Sequence, residues 1–312
     1  MPNTFNQLWV DKLQAGLKLH LEAGSMTAWM EGNAKQVEYK GGRTVTMREM
    51  TVDGLGDYDR TLGYPRGAIT GSKYDFQMVM DRGREFILDV ADQDETGFIV
   101  TAATIMREFQ ANHVIPEVDA YRIAKIYAEV LSRASGQIDD TAVDDDALLD
   151  TLLTDIDTLR DEYLDSSTPV AIIMSGVTQG YFDKNFIRGL EYQSFQSGSI
   201  NTKVRQIDGN PLLIMPSRRL KSAYDFYDGI TGGQTDGGFV PAAGAEDILW
   251  MVVPWDAPIA VSKIDQLRVF TPLEYQQMHA WKVDYRMFHD LWLPTAQAEK
   301  CFIRTGDITI TT

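Results

Sequence analysis

Residues 37–90 read VEYKGGRTVTMREMTVDGLGDYDRTLGYPRGAITGSKYDFQMVMDRGREFILDV, and the architecture hangs on this stretch. Val37-Glu38-Tyr39 and the run from Val45 to Val52 are β-prone and separated by a Gly41-Gly42 turn. Between Asp53 and Ser72 stand Gly54, Gly56, Gly63, Pro65, Gly67 and Gly71, too many breakers for regular structure. Tyr74, Phe76, Met78 and Met80 then alternate with Asp75, Gln77 and Val79, and Phe86, Leu88 and Val90 continue the β signal. The segment is predicted to be a long two-stranded ribbon with an irregular tip. Its eight basic residues, Lys40, Arg43, Arg48, Arg60, Arg66, Lys73, Arg82 and Arg84, face nine acids, so it is polar and nearly neutral. A two-stranded ribbon is marginal alone in water. It needs a docking surface outside itself.

Upstream, Phe5, Leu8, Trp9, Leu13, Leu17 and Leu21 recur at helical spacing, with Thr4 and Gln7 as a capping box and Gly24 as the stop. This stripe is covered either by its own domain or by a neighbouring subunit. Downstream, a helix is predicted from about Glu95 to His113, interrupted by Pro116, and a second from about Glu117 to Ala134. A third is predicted over Thr141 to Tyr163, with leucines on one face and Asp144, Asp145, Asp146, Asp150, Asp155, Asp157, Asp161 and Glu162 on the other. Strands are predicted at Val170 to Met174, Lys203 to Ile207, Leu212 to Met215, Ile248 to Val253, Ala280 to Tyr285 and Cys301 to Arg304. Gly232 to Gly238 reads as a flexible loop. The class is α+β.

The 312 residues fit about two structural units. With 44% apolar and 24% charged residues the chain is too apolar for disorder. No apolar run approaches the ~18 residues of a membrane helix, and Met1 to Val10 is unlike a secretory leader, so no membrane partner is expected. The single Cys301 excludes internal disulfides and fits a reducing compartment. A net charge of −16 argues against a general grip on nucleic acid and opposes close packing of copies.

Signals for catalysis are sparse. His20, His113, His279 and His289 lack zinc spacing, and neither a Gly-x-Ser-x-Gly elbow nor a phosphate-binding P-loop occurs. Gly54-Leu55-Gly56 lacks the third glycine and following helix of a dinucleotide site. The aspartate cluster offers oxygen ligands for a hard cation, but its spacing is that of a solvated helix face, where early acids also suit the helix dipole. Cys301, beside Phe302-Ile303, reads as a buried small residue. Trp250, Trp255, Trp281 and Trp292 read as core or interface packing, and Asp81-Arg82-Gly83-Arg84 as ion pairs rather than a phosphate hook. No catalytic, cofactor-binding or metal residue is assigned.

One ordered set of short motifs goes beyond pattern. Leu55-Gly56-Asp57-Tyr58-Asp59-Arg60 leads through Asp81-Arg82-Gly83-Arg84 and Asp92-Gln93-Asp94-Glu95-Thr96 to Met106-Arg107-Glu108-Phe109. Val114-Ile115-Pro116-Glu117-Val118-Asp119-Ala120-Tyr121-Arg122 follows, with Asp284-Tyr285-Arg286-Met287-Phe288-His289-Asp290 near the end. In order and spacing these resemble the major capsid proteins of tailed bacteriophages, particularly siphophages of Gram-positive hosts. The likeness is strongest over residues 35–130 and continues to about 305.

The resemblance implies the Hong Kong 97-type capsid fold. Its parts would be an N-terminal arm (1–36), an E-loop β-hairpin with flanking strands (37–90), a peripheral domain with a long spine helix (91–135), an axial domain (136–272), and a return to the peripheral domain (273–312). It implies a structural protein that self-assembles into hexamers and pentamers of an icosahedral shell around double-stranded DNA, touched only non-specifically. It places the protein in the virion, assembled in the host bacterial cytoplasm, with portal and scaffolding proteins as further partners. The ribbon's missing surface would be the adjacent subunit, making Arg43, Arg48, Asp57, Arg60, Arg66, Arg82, Arg84, Trp9 and Leu13 candidate inter-subunit contacts, with pairing inside one chain the competing reading for each charge. Relatives often carry a long N-terminal scaffolding segment; because the arm-like helix starts at Thr4, the expectation here is either that no such segment exists or that scaffolding is a separate protein. No Lys–Asn cross-link through Lys40 or Lys73 is expected. The rival readings are an encapsulin-type bacterial compartment shell, which shares the fold, and a carboxylate-dependent hydrolase using two of the clustered acids.

Overall fold

A 21-residue helix, α1 (Thr4–Gly24), opens the chain in the computed structural model, which describes residues 4–41, 43–61, 63–89, 98–165, 168–185, 191–197, 200–207, 209–275, 277–278 and 280–310. Leu17 and Leu21 of its apolar stripe are buried and Val10 and Leu13 half-buried against Met106, Ile115, Val118, Leu267, Tyr285 and Met287 of the same chain. The chain covers its own stripe there. The side chains of Phe5, Leu8 and Trp9 lie outside the described residues.

After a 3-10 segment, Ala28–Gln36, come β1 (Glu38–Gly41), β2 (Thr44–Val52) and β3 (Ile69–Gln77), an antiparallel sheet in that order. Pairing runs unbroken from Thr44↔Gln77 to Val52↔Ile69. The long β2–β3 pair with its tip is present, but β1 adds a third strand where two were expected, and β3 begins at Ile69, inside the stretch expected to be irregular. The Thr/Val/Met run of β2 supplies a ladder that carries Gly71, opposite Met50. Two residues later the chain enters β4 (Met80–Asp89) in a different sheet.

Next, α2 (Phe98–Phe109), a π turn (Gln110–Val114) and α3 (Ile115–Arg133) form one helical run. Pro116 does not interrupt it, contrary to the sequence expectation. It sits in the first turn of α3, and the wide π turn before it relaxes the α-helical spacing in which a proline ring meets the carbonyl four residues back. The expected start near Glu95 lies outside the described residues.

The remaining elements are β5 (Ile138–Asp139), β6 (Val143–Asp144), α4 (Leu148–Glu162), β7 (Val170–Ser175), α5 (Gly176–Asn185), β8 (Glu191–Ser197), β9 (Ile200–Ile207) and β10 (Asn210–Met215). Then follow β11 (Tyr224–Phe226), β12 (Phe239–Pro241), β13 (Ile248–Pro254), β14 (Ile259–Phe270), β15 (Ala280–Trp292), α6 (Thr295–Ala298), β16 (Phe302–Thr305) and β17 (Ile308–Thr309). The helix expected from Thr141 starts only at Leu148, because β6 pairs in parallel with β17 and the Asp145 N–H donates to the Thr309 carbonyl. Asp144 and Asp145 are therefore in a strand and a turn, not a helix N-terminus.

Seven strands form the central mixed sheet, in the order β5-β16-β13-β7-β10-β9-β8. Every residue of β7 and β13 is buried. Their alternate side chains feed two cores: Ala171, Ile173, Met251 and Val253 face Ile123, Ile126 and Val130 of α3, while Ile172, Met174, Trp250 and Val252 face Leu148, Leu152, Ile156 and Leu159 of α4. A continuous apolar run is what a strand covered on both faces requires. A second sheet, β14-β15-β4, carries the core that receives α1. Sheet membership does not follow chain order: β14 belongs with β15 and β4, β16 returns to the seven-stranded sheet, and β17 pairs with β6.

Charged side chains lock these layers. Asp119 and Arg122, one turn apart on α3, are fully buried. Asp119 accepts hydrogen bonds from Ser25 Oγ (2.7 Å), Thr27 Oγ1 (2.8 Å) and the Thr27 N–H (3.3 Å), with Arg219 Nη1 at 3.4 Å. Arg122 donates to Glu31 Oε1 (2.5 Å) and to the Thr27 carbonyl (3.2 Å), and Ser262 Oγ donates to the same Glu31 oxygen (2.8 Å). Replacing Asp119 by Ala takes the carboxylate from the Arg219 guanidinium and the acceptor from four donors, Ser25 Oγ, Thr27 Oγ1 and the Met26 and Thr27 N–H groups. A loss of about 3–5 kcal/mol in denaturant unfolding is expected.

Burial, then the charges of Arg122 and Arg82, hold the His289 imidazole down at about 3 from its ordinary 6.5. The unfolded chain takes up that proton near 6.5 and the folded chain does not, so stability is full above that pH and falls as pH drops toward 3. The melting temperature should fall between pH 7 and pH 5, and His289→Gln should flatten that slope.

Candidate functional site

Burial changes abruptly along the ribbon. At its base Val45, Met47 and Met78 pack with Ile259, Val261 and Phe288 of the second sheet. The polar frame there is Asp290, which accepts from the Val79 N–H (2.8 Å), from Tyr121 OH (2.7 Å) and from the Leu291 N–H (2.8 Å). Met47 is 4% exposed, but Met50, three residues on, is 71% exposed. From there to the tip Val52, Leu55, Tyr58, Tyr64 and Ile69 are all exposed, Leu55 completely and Tyr64 to 85%.

The tip is nonetheless internally organised. The Asp53 N–H donates to the Ala68 carbonyl (3.2 Å) while Asp53 Oδ2 accepts from the Ala68 N–H (2.7 Å). Asp59 and Gly63 exchange backbone hydrogen bonds, the Thr61 N–H donates to Asp59 Oδ1 (2.6 Å), and the Tyr58 and Tyr64 rings meet at 4.9 Å. Gly54-Leu55-Gly56 forms part of this loop with no helix after it. The result is a shaped apolar end that the rest of the described chain does not cover. Scattered apolar residues on a surface are ordinary, but a contiguous set on a protruding element marks a contact surface.

The candidate contact residues separate into three groups. Asp57, Arg60 and Arg66 are exposed at the tip, and none is in an ion pair among the described residues; Arg43 is exposed near the base. Arg82 and Arg84 find partners inside the chain. Arg82 Nε donates to Glu117 Oε1 (2.6 Å) and its Nη1 to the Tyr227 carbonyl (2.7 Å), while both Arg84 Nη atoms donate to the Thr235 carbonyl (3.1 Å). Leu13 packs on the chain's own core. The side chains of Arg48 and Trp9 lie outside the described residues.

Asp81-Arg82-Gly83-Arg84 thus forms ion pairs, with Arg286 gripping Asp81 at 2.8 and 2.6 Å and pulling its carboxyl below the usual range. Gly83 is required where β4 meets β15, since a Cβ there would lie 2.8 Å from the Tyr285 carbonyl oxygen. The sequence-level acidic face is only partly solvated. Asp155 is buried, accepting from Arg304 Nε (2.9 Å), Arg304 Nη2 (2.7 Å) and Trp250 Nε1 (3.0 Å). Nothing in the periodicity of the aspartates set Asp155 apart. The hint lay in Arg304, a cation inside an otherwise apolar strand. Cys301 is buried, its thiol pushed up to about 12 by desolvation, as befits a packing residue. Trp250 is fully buried, and the Trp255 and Trp29 rings meet at a tilt, their centroids 4.4 Å apart.

No protein-family model matches the sequence, and no curated protein matches it. In structure the chain is similar to the mature capsid of bacteriophage PhiM1, at 10% identity, a TM-score of 0.57, and coverage of 88% of this chain and 83% of that one. It is also similar to the capsid of the cyanophage P-SCSP1u (10% identity, TM-score 0.55, 87% and 85% covered) and to the capsid of Staphylococcus phage Andhra (9%, 0.55, 88% and 83%). At such identities the likeness is one of fold. The mixed α+β fold of this chain is that of tailed-phage capsid proteins.

In the isolated chain, trypsin should cut first after Arg60 and Arg66, since both are exposed on an uncovered loop. Intact mass should show cleavage confined to these two sites in the tip, and near-UV circular dichroism should be unchanged, because the base and body remain packed.

Proposed function

We propose that the chain is the major capsid protein of a tailed bacteriophage, a non-enzymatic shell subunit of the Hong Kong 97 type. The observation that carries this reading is the ribbon: fixed to the body at its base, paired from Thr44 to Val52 with Gln77 to Ile69, and apolar at an end that the rest of the described residues do not cover. An exposed apolar surface of this kind marks a contact site, and the partner that every assembling chain meets is another copy.

In this reading α1 is the arm, β2–β3 with their tip the E-loop, the α2–α3 run the spine, the β14-β15-β4 sheet the peripheral platform, and the seven-stranded sheet the axial domain. The buried Asp119–Arg122 joint keeps arm, spine and platform one stiff body. Stiff wedges joined by ribbons can tile hexamers and pentamers, with many weak contacts repeated by symmetry rather than one dominant pair. The charge of −16 per copy would let packaged DNA pass along the inner wall without adhering. Portal and a separate scaffolding protein would complete the assembly, in the bacterial cytoplasm and then in the virion.

Negative-stain electron microscopy of the purified protein tests this directly. Closed particles of uniform size are expected. A chain that stays monomeric at high concentration and in moderate salt would overturn the reading. The double variant Leu55→Asp, Tyr64→Asp should melt within a few degrees of the parent, since both side chains are already in water, yet yield no particles.

A further inference from the structure

Between β4, the π turn and the loop joining β11 to β12 lies a cleft of about 360 Å³, large enough for a small organic molecule. Part of its lining is aromatic. The Phe86 and Phe109 rings meet edge-on at 5.0 Å, and Phe109 meets Tyr285 edge-on at 5.7 Å and the His113 ring at 5.8 Å, all four bordering the cleft. His289 also lines it, only 2% exposed, with its Nδ1 unpartnered among the described residues. A further side is the loop 227–238, where Gly229, Gly237 and Gly238 adopt positive φ. Arg82 and Arg84 hold that loop through its backbone carbonyls, an attachment that lets it adjust.

The charges around the cleft do not balance. Asp81, Glu117, Asp228 and Asp236 border it, against Arg82 and Arg84. Glu117 is paired with Arg82, and Asp81 with Arg286 from outside the lining. Asp228 and Asp236 are in no ion pair among the described residues, and Arg84, the remaining cation, donates to the Thr235 carbonyl. Asp228 is held ionised at about 2 by the Thr231 hydroxyl and the N–H groups of Ile230 and Thr231. With histidine counted as neutral, one negative charge is left uncompensated.

We propose that this cleft binds a small organic monocation, an amine whose apolar body lies against Phe86 and Phe109 and whose ammonium group sits near Asp228 and Asp236. Ring faces attract a cation and take its apolar body out of water, and the two carboxylates supply the opposite charge. An anion of the same shape would meet like charge, and a neutral one would forgo both attractions. Because the walls come from the body and the loop together, an occupied cleft ties loop 227–238 down. The proposal goes beyond the shell reading and stands without it.

Phenethylamine, the neutral phenethyl alcohol and the anion phenylacetate test it, each in the millimolar range against the purified chain. Phenethylamine should raise the melting temperature by about 2 °C or more, the alcohol clearly less, and phenylacetate not at all. In hydrogen exchange the amine should slow the amides of residues 229–238. Asp236 is the residue to change, because Asp228 holds its own loop. Asp236→Asn should weaken amine binding about threefold, and Asp236→Lys should make phenylacetate the better ligand. Failure of the amine to bind, equal binding of the alcohol, unchanged exchange in the loop, or parental affinity in Asp236→Asn overturns the proposal. None of these outcomes bears on whether the chain forms particles.

Discussion

Everything in this molecule turns on a buried carboxylate and guanidinium one helical turn apart, Asp119 and Arg122. Taking two such charges out of water costs several kcal/mol each, and their mutual attraction repays it only where every remaining lone pair and proton is satisfied. Here the partners come from four places in the sequence, Ser25 and Thr27 after α1, Glu31 in the 3-10 segment, Arg219 before β11, and Ser262 of β14 through Glu31, and they leave Arg122 Nε as the one buried atom of the pair without a partner among the described residues. The two charges are therefore stable only when arm, spine and platform are all in place. The joint enforces a single arrangement of those parts, which greasy packing alone would leave looser.

What could be read from the sequence followed from period and punctuation. The ribbon was legible because its strands alternate and its tip is crowded with glycine and proline; the buried strands β7 and β13 were legible as unbroken apolar runs. The long β14 escaped notice because Ser262, Lys263, Asp265, Gln266 and Arg268 break up its apolar signal. The continuous α2–α3 helix escaped because proline is a reliable breaker only against an ordinary α-turn, and the π turn before it is invisible to pattern. The polar joint was legible only in part. Asp119, Tyr121, Arg122, His289 and Asp290 all stood in the motifs that resembled capsid proteins, yet their role as mutual partners needed three-dimensional proximity. Asp155 was misread outright, because helical spacing assigns a face but not whether a cation waits on the other side.

The contrast between base and tip of the ribbon explains why one element can be both ordered and unfinished. Its base shares a core with β14 and β15, its backbone is fully laddered, and its loop is closed by Asp53 and Asp59. The conformational cost of shaping the tip is thus met within the single chain. Surface presented in advance binds with less ordering loss than a segment that must fold on contact. That would suit the proposed shell subunit, whose strong negative charge works against association until enough apolar area is withdrawn from water.

The passage from β3 to β4 takes only Met78 and Val79, yet it carries the chain from one sheet into another. Asp290 pins the Val79 N–H at that point, so the ribbon is a lever whose fulcrum sits in the polar joint. Nine paired residues at about 3.3 Å each give an arm of ~30 Å, and a twist of about 10° at the fulcrum sweeps its end through ~5 Å. In the proposed shell, copies in unlike surroundings would reach their neighbours by small rotations at two residues, leaving the body rigid.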